Sequence, residues 1–478
     1  MNGNVVKVVL WEKTVGYLSW DKTHWKTETS VFQFDRDFLS LGWDISPIQL
    51  SLSSKMARSG LDIRGGNPKD VFRGLPPVFA DSLPDHWGNS LFRSWAKEHK
   101  VSMKDVSAVD YLSFIGKRGM GALEYLPAAI EDEDQPFDVD VSRLYEFARS
   151  VLEERTDVRF TADRELLWQD LIKLGTSPGG KRPKALIAVN PEKGVIKSGQ
   201  VLLPPGYDYY VLKYDNEDDL FPYARMEYAY SRMCRDAGIK MPYTELRPFD
   251  NASHFLIKRF DRLEEEKVHM QSLRALNGET HSYEEAFDVI EKLRLDYEDK
   301  EQLFRRMVFN VIGGNIDDHD KNISFLMNKR GQWSLAPAYD VVYSIDPDAL
   351  YVQKGQFMSI NDKNQGITID DLITVARHYS VNRPERIIEQ VMDIISKVDD
   401  YLRQDGVCES AIKTIMSELN ERHAELTQNV QPVSFEEKPH HQGRLHAGEP
   451  PCCPSGGNRA AREARFLPEG PAEIQEGL

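Results

Sequence analysis

Asn315-Ile316-Asp317-Asp318-His319-Asp320-Lys321-Asn322 is the stretch on which the reading of this sequence turns. It follows a helical pattern that stops at Gly313-Gly314 and precedes an apolar run, Ile323 to Met327, that reads as a strand. Seven of the eight residues are polar, a density that packing alone does not call for. An Asp- and Asn-rich loop is by itself usually a solvated turn, so the weight falls on what surrounds it. A turn at Lys329 to Gly331 and a second strand, Trp333 to Ala336, complete a hairpin, and Pro337-Ala338-Tyr339-Asp340 then puts another carboxylate just past a strand. A calcium loop does not fit. Counted from Asp317, the sixth position, which needs Gly, is Asn322, and the twelfth, which needs Glu, is Asn328.

Transfer of a phosphoryl group asks for a carboxylate that accepts or orients the nucleophile's proton, and for oxygen ligands that hold magnesium on the ATP phosphates. Asp317 and Asn322 stand at the same offset as the Asp and Asn of a protein-kinase catalytic loop, and Asp340 follows one hairpin later, as the kinase metal-binding Asp does. Further upstream, Tyr210-Val211-Leu212-Lys213-Tyr214 sets a lysine inside an apolar strand, where an unpaired ammonium is costly, so a phosphate or carboxylate partner is expected. Glu227, early in the next helix, is the expected carboxylate. Taken singly, Lys213 reads as an edge-strand lysine and Glu227 as helix N-terminal charge. Their order along the chain gives them weight.

Gly175 to Arg182 nearly matches a Walker A loop and misleads. Arg182 stands where the magnesium-binding Ser or Thr belongs, and a helical pattern precedes the loop while a strand pattern, Ala185 to Val189, follows it, the reverse of a P-loop. The loop reads instead as a glycine-rich cover for phosphates, with Lys184 adding charge.

The chain of 478 residues is 41% hydrophobic and 10% aromatic, ordinary for a protein with a real core. No run approaches eighteen consecutive apolar residues and the start lacks a secretory pattern, so a cytoplasmic protein without a membrane span is expected. The four cysteines make no disulfide framework, and Cys452-Cys453 with His440, His441 and His446 fit no zinc spacing. A net charge of -16 argues against direct nonspecific binding to DNA.

Four regions are expected: a small α/β unit over 1–130, closed by the acidic run Glu131 to Asp134; a nucleotide-binding lobe over 137–262; a mostly helical lobe over 263–430; and a tail, 431–478, with seven Pro and six Gly and no periodicity, expected to be disordered. The fold class is α+β, two-lobed and kinase-like.

Ser177 to Lys184, Lys213, Ile257 to Arg262, Asn315 to Asn322 and Pro337 to Asp340 resemble, in order, the motifs of HipA-type serine/threonine kinases, the toxins of bacterial type II toxin–antitoxin pairs. Phe79-Ala80-Asp81-Ser82-Leu83-Pro84-Asp85 and Gly116 to Leu123 resemble that family's N-terminal subdomain. The likeness spans about Val5 to Asn429. It implies Asp317 as catalytic base, Asn322 and Asp340 as magnesium ligands, and Ser177 as a site of autophosphorylation, which would add charge beside the nucleotide. For ATP it implies Pro178, Gly179, Gly180, Lys181, Arg182, Pro183, Lys184, Lys213, Lys258, Arg259, Phe260, His319, Lys321 and Tyr339, with Lys258 to Phe260 between the lobes. A lysine at 181 departs from the small or uncharged residue common in relatives. The resemblance also implies a HipB-type helix-turn-helix antitoxin through which DNA is reached, and a protein substrate such as an aminoacyl-tRNA synthetase. Two other readings stay open: a small-molecule kinase of the same fold, and a degenerate kinase kept as a binding subunit of a repressor complex.

Overall fold

The computed structural model describes residues 5–22, 28–84, 86–130, 136–145, 170–172, 174, 183–215, 221–249, 252–263, 266–344 and 355–427. The tail and the loop segment from Ser177 to Arg182 lie outside the described residues.

Short β-branched and aromatic runs at the front build an antiparallel sheet in the order β4-β3-β2-β1-β5 from β1 (Val5–Leu10), β2 (Lys13–Asp21), β3 (Thr29–Phe34), β4 (Ile63–Arg64) and β5 (Leu123–Leu126). Its inward residues, among them Val8, Leu18 and Phe32, pack against Trp87, Leu91 and Phe92 of the helix His86–Glu98.

A second antiparallel sheet, in the order β7-β6-β8-β10-β9, follows with β6 (Lys184–Asn190), β7 (Val195–Ser198), β8 (Asp208–Lys213), β9 (Thr244–Phe249) and β10 (Ala252–Lys258). All seven residues of β6 are buried, because both faces of this sheet are covered. Ala185, Ile187, Leu212 and Leu256 join the core of the first sheet. Leu186, Val211, Phe255 and Ile257 point the other way, toward Ala224 of the helix Tyr223–Asp236. That helix turns its stripe of Met226, Ala229, Tyr230, Met233 and Cys234 into the helical lobe, and Gly238, at φ +78°, follows its end.

A two-stranded ribbon, β11 (Arg262–Leu263) and β12 (Glu266–Lys267), leads into the remaining described chain, which is largely helical, with a three-stranded sheet, β13 (His269–Ser272), β14 (Ser324–Met327) and β15 (Trp333–Leu335), at its entrance. The helix Tyr297–Ile312 runs through its core and delivers the chain to the loop at Asn315. No helix among the described residues is long and apolar enough to cross a membrane.

Candidate active site

The ends of four elements converge. Lys213 closes β8, where the register sets it opposite Lys184 on one side and Phe255 on the other. Two lysines side by side repel, and the arrangement holds because carboxylates meet them. Lys213 Nζ pairs with Glu227 Oε1 at 2.5 Å and with Asp340 Oδ1, its side chain only 15% exposed. Burial works against the ammonium, but the charges of Asp340 and Glu227 outweigh it and push the Lys213 pKa up. Burial likewise raises the Asp340 carboxyl, yet Lys213 above all, then Lys184, hold it down to about 2. Asp340 therefore stays ionised. Its backbone is left-handed, φ +53°, a conformation uncommon outside glycine that Asp tolerates better than most.

The loop Asn315–Asn322 divides by side-chain direction. Asp317 is half-buried; its N–H donates to Ser344 Oγ at 3.1 Å, and its carbonyl accepts from Asn322 Nδ2 at 2.9 Å, so the two residues that sequence reading pairs are tied together. His319 sets its ring edge-on against Phe357, centroids 5.7 Å apart. Lys321 is exposed, and its carbonyl accepts from Tyr339 Oη at 2.7 Å. Tyr339 also meets Ser324 Oγ at 2.5 Å, and its ring lies 5.6 Å from that of Phe260.

Asp318 and Asp320 turn inward instead. Asp318 accepts from Tyr283 Oη (2.7 Å), Gln356 Nε2 (2.9 Å) and the N–H groups of Phe357 (2.9 Å) and Met358 (3.3 Å). Burial pushes its carboxyl up to about 7 against these donors. Asp320 is held by Arg274 Nε at 2.8 Å and by the N–H of Thr280 at 3.0 Å. These anchors escaped sequence reading. Nothing in a run of acids says which of them faces in.

Arg259 and Lys258 depart from expectation. The Arg259 guanidinium has no exposed surface, since it bonds Asp261 through Nε and Nη2 (2.9 and 2.8 Å) and Gly199 O through Nη1 (3.1 Å), and so does not open on the cleft. Lys258 Nζ pairs with Asp208 at 2.6 Å. The N–H groups of both residues are committed to Tyr243 O and Tyr209 O, each at 2.8 Å. Of that segment, Phe260 is the residue whose ring reaches Tyr339. Ser177, Pro178, Gly179, Gly180, Lys181 and Arg182 lie outside the described residues, whereas Pro183 and Lys184 lead into β6 directly beside Lys213.

No group of three or more His, Cys, Asp and Glu side chains gathers as a metal cage among the described residues. Asp340 and Asn322 line one small cavity, and a carboxylate with a side-chain amide oxygen is a sparse oxygen set of the kind that could hold magnesium, which keeps waters and phosphate oxygens as its other ligands.

Residues 6–126 match the family model described as HipA N-terminal domain, and residues 176–400 the one described as HipA-like C-terminal domain. A protein of Haemophilus influenzae with a provisional kinase name is 27% identical over 195 residues, 36% of this chain and 54% of the relative. One from Sinorhizobium fredii, also provisionally named a kinase, is 29% identical over 137 residues, 25% of this chain and 34% of the relative. The chain thus spans about half or less of the length of these curated relatives. Among solved structures, a chain of the Shewanella oneidensis MR-1 complex of HipA, HipB and operator DNA aligns with a TM-score of 0.61 at 17% identity, covering 88% of this chain and 97% of that one, a likeness of fold. Matched by the N-terminal and C-terminal family models in turn, and in fold over most of its length, the chain belongs to the HipA family.

Proposed function

We propose that the protein is an ATP- and magnesium-dependent serine/threonine protein kinase, acting as the toxin of a toxin–antitoxin pair. The observation that carries this reading is Lys213, held between Glu227 and Asp340, with Asp340 lining one cavity together with Asn322, which is tied to Asp317. In the proposed reaction Asp317 accepts the proton of the acceptor hydroxyl. That oxygen bonds to the γ-phosphorus, the bond from the γ-phosphorus to the bridging oxygen breaks, and ADP leaves. Lys213 and Lys184 balance phosphate charge, so the nucleotide takes over part of the role that Asp340 now plays for Lys213. Phe260 and Tyr339 offer ring faces for the base. Asp340 and Asn322 would hold magnesium, which neutralises charge on the phosphates when bound. Catalysis of this kind is positioning and electrostatics, with the phosphoryl group passing directly from ATP to the acceptor hydroxyl and no covalent intermediate on Asp317.

The proposed acceptor is a protein of the translation apparatus, such as an aminoacyl-tRNA synthetase, and the proposed partner a HipB-type helix-turn-helix antitoxin; the family resemblance supports both, and the HipB in the Shewanella complex supports the second. Autophosphorylation of Ser177 belongs to the same proposal.

The test is incubation with γ-labelled ATP and magnesium, beside Asp317→Ala and Ser177→Ala, with mass-spectrometric mapping of the label. Label on Ser177 in the parent, falling at least ~100-fold in Asp317→Ala, is the expected result. No transfer and no nucleotide binding in the parent would leave only a binding subunit.

A further inference from the structure

The motif Phe79 to Asp85 takes no part in the proposed transfer, yet its Asp81 reaches the catalytic lobe. Asp81 follows the short helix Pro77–Ala80 of the N-terminal subdomain. One of its oxygens, Oδ2, accepts the N–H of Ser272 at 2.7 Å, and Oδ1 accepts the Ser272 hydroxyl at 2.5 Å. Both oxygens grip one residue, which fixes direction as well as distance.

Ser272 stands at a junction. It ends β13 opposite Ser324 of β14, and it caps the helix Leu273–Asn277 by accepting the N–H of Ala275 at 3.2 Å. The next N–H, of Leu273, donates to Ile323 O at 2.8 Å. Two residues past Ser272, Arg274 clamps Asp320, 1% exposed, through Nη2 at 2.6 Å and Nε at 2.8 Å. A continuous run of contacts therefore leads from Asp81 through Ser272 and Arg274 to Asp320, which lies between Asp317 and Asn322. The next residue, Ser82, is braced from within the subdomain, where Tyr125 Oη donates to Ser82 Oγ at 2.7 Å.

We propose that Asp81 is a positioning residue for the loop Asp317–Asn322: the N-terminal subdomain sets the loop's orientation through Ser272 and Arg274, although Asp81 touches no substrate. The claim rests on the reading of Asp317 and Asn322 as the reacting group. A carboxylate that only glued two subdomains together would affect yield and melting and leave the folded enzyme's rate alone.

The experiment uses the full chain and compares Asp81→Ala, Asp81→Asn and Ser272→Ala with the parent in two readouts: kcat and KM for ATP, and amide hydrogen exchange over 317–322. For Asp81→Ala, exchange there is expected to rise at least ~10-fold and kcat to fall roughly 10- to 100-fold, with KM within about twofold. Asn can still accept from the Ser272 N–H, so Asp81→Asn is expected to restore both readouts to within about threefold of the parent. Unchanged exchange over 317–322 in Asp81→Ala overturns the proposal whatever the rate. If Asp81→Ala does not fold, Ser272→Ala decides: exchange at least ~3-fold faster supports the coupling, and unchanged exchange ends it. A parent that transfers no phosphate removes the kinase reading alone, since exchange still reports on Asp81.

Discussion

At the scale of single residues, one short loop carries two kinds of acid. Asp317 is half-buried, whereas Asp318 and Asp320 are nearly sealed and serve as internal anchors. The sequence makes the loop legible by its polar density and by the offset from Asp317 to Asn322, but no periodicity separates neighbouring acids that point opposite ways. Arg259 illustrates the converse. Its place in a family motif suggests a ligand contact, and its guanidinium is spent on Asp261. Asp318 makes a testable case. Its carboxyl is raised to about 7, above the ordinary value near 4, so the folded state binds its proton more tightly than the unfolded chain. The stability this contributes is complete below about pH 4 and is lost as pH rises toward 7, at roughly 1.4 kcal/mol per pH unit. Asp318→Asn removes that slope. Urea unfolding at intervals from pH 4 to 8 is expected to show the parent's advantage over the variant shrinking as pH rises; a constant gap refutes it.

At the scale of elements, the strands with bounded apolar runs were readable: β6, β8 and the hairpin of β14 and β15 all lie within two residues of their expected spans. β3, β4, β5 and β13 were not. β13 pairs with β14, His269 opposite Met327, and such distant pairing leaves no mark in local periodicity. The loop depends on how the helix Tyr297–Ile312 ends. Gly314 sits at φ +72°, and a Cβ there would meet the Tyr343 ring at 2.8 Å and Leu419 Cδ2 at 3.0 Å. Only glycine both turns left-handed here and clears that ring. Gly314→Ala is expected to cost about 2 kcal/mol or more of stability, and to lower the proposed transfer rate in the fraction that folds, because Asn315 begins one residue on. Calorimetry and the label assay check the two parts; an alanine variant with parental values of both would mean that Tyr343 yields freely.

At the scale of the whole molecule, the N-terminal subdomain is fastened to the parts it was expected only to precede. Asp261, between the lobes, accepts from Arg259, Arg262 and the N–H of Gly121, and Arg262 reaches the carbonyls of Gly119 and Gly121. Trp43 Nε1 donates to Lys329 O in the turn between β14 and β15, and His269 Nε2 of β13 donates to Ile45 O at 2.9 Å, across the seam between the subdomain and the three-stranded sheet. The sequence offered a boundary at the acidic run after Ile130, but it had no means of revealing a seam made from residues far apart in the chain. Burial pushes His269 down to about 4, so it sits in the seam as a neutral ring beside Trp333. A His with a lowered folded pKa contributes stability that is present above about pH 6.5 and is lost as pH falls toward 4, again at roughly 1.4 kcal/mol per pH unit. This slope opposes that of Asp318 over the shared window, so the parent conceals both, and single variants expose them. His269→Gln, which retains an N–H for Ile45 O, is expected to gain on the parent as pH falls from 6.5 to 4, while Asp318→Asn loses ground over the same interval. Two variants diverging from the parent in opposite directions in one series of unfolding curves would assign acid sensitivity to the seam and alkaline sensitivity to the loop; curves that run parallel to the parent would mean that neither buried group governs the molecule's response to pH.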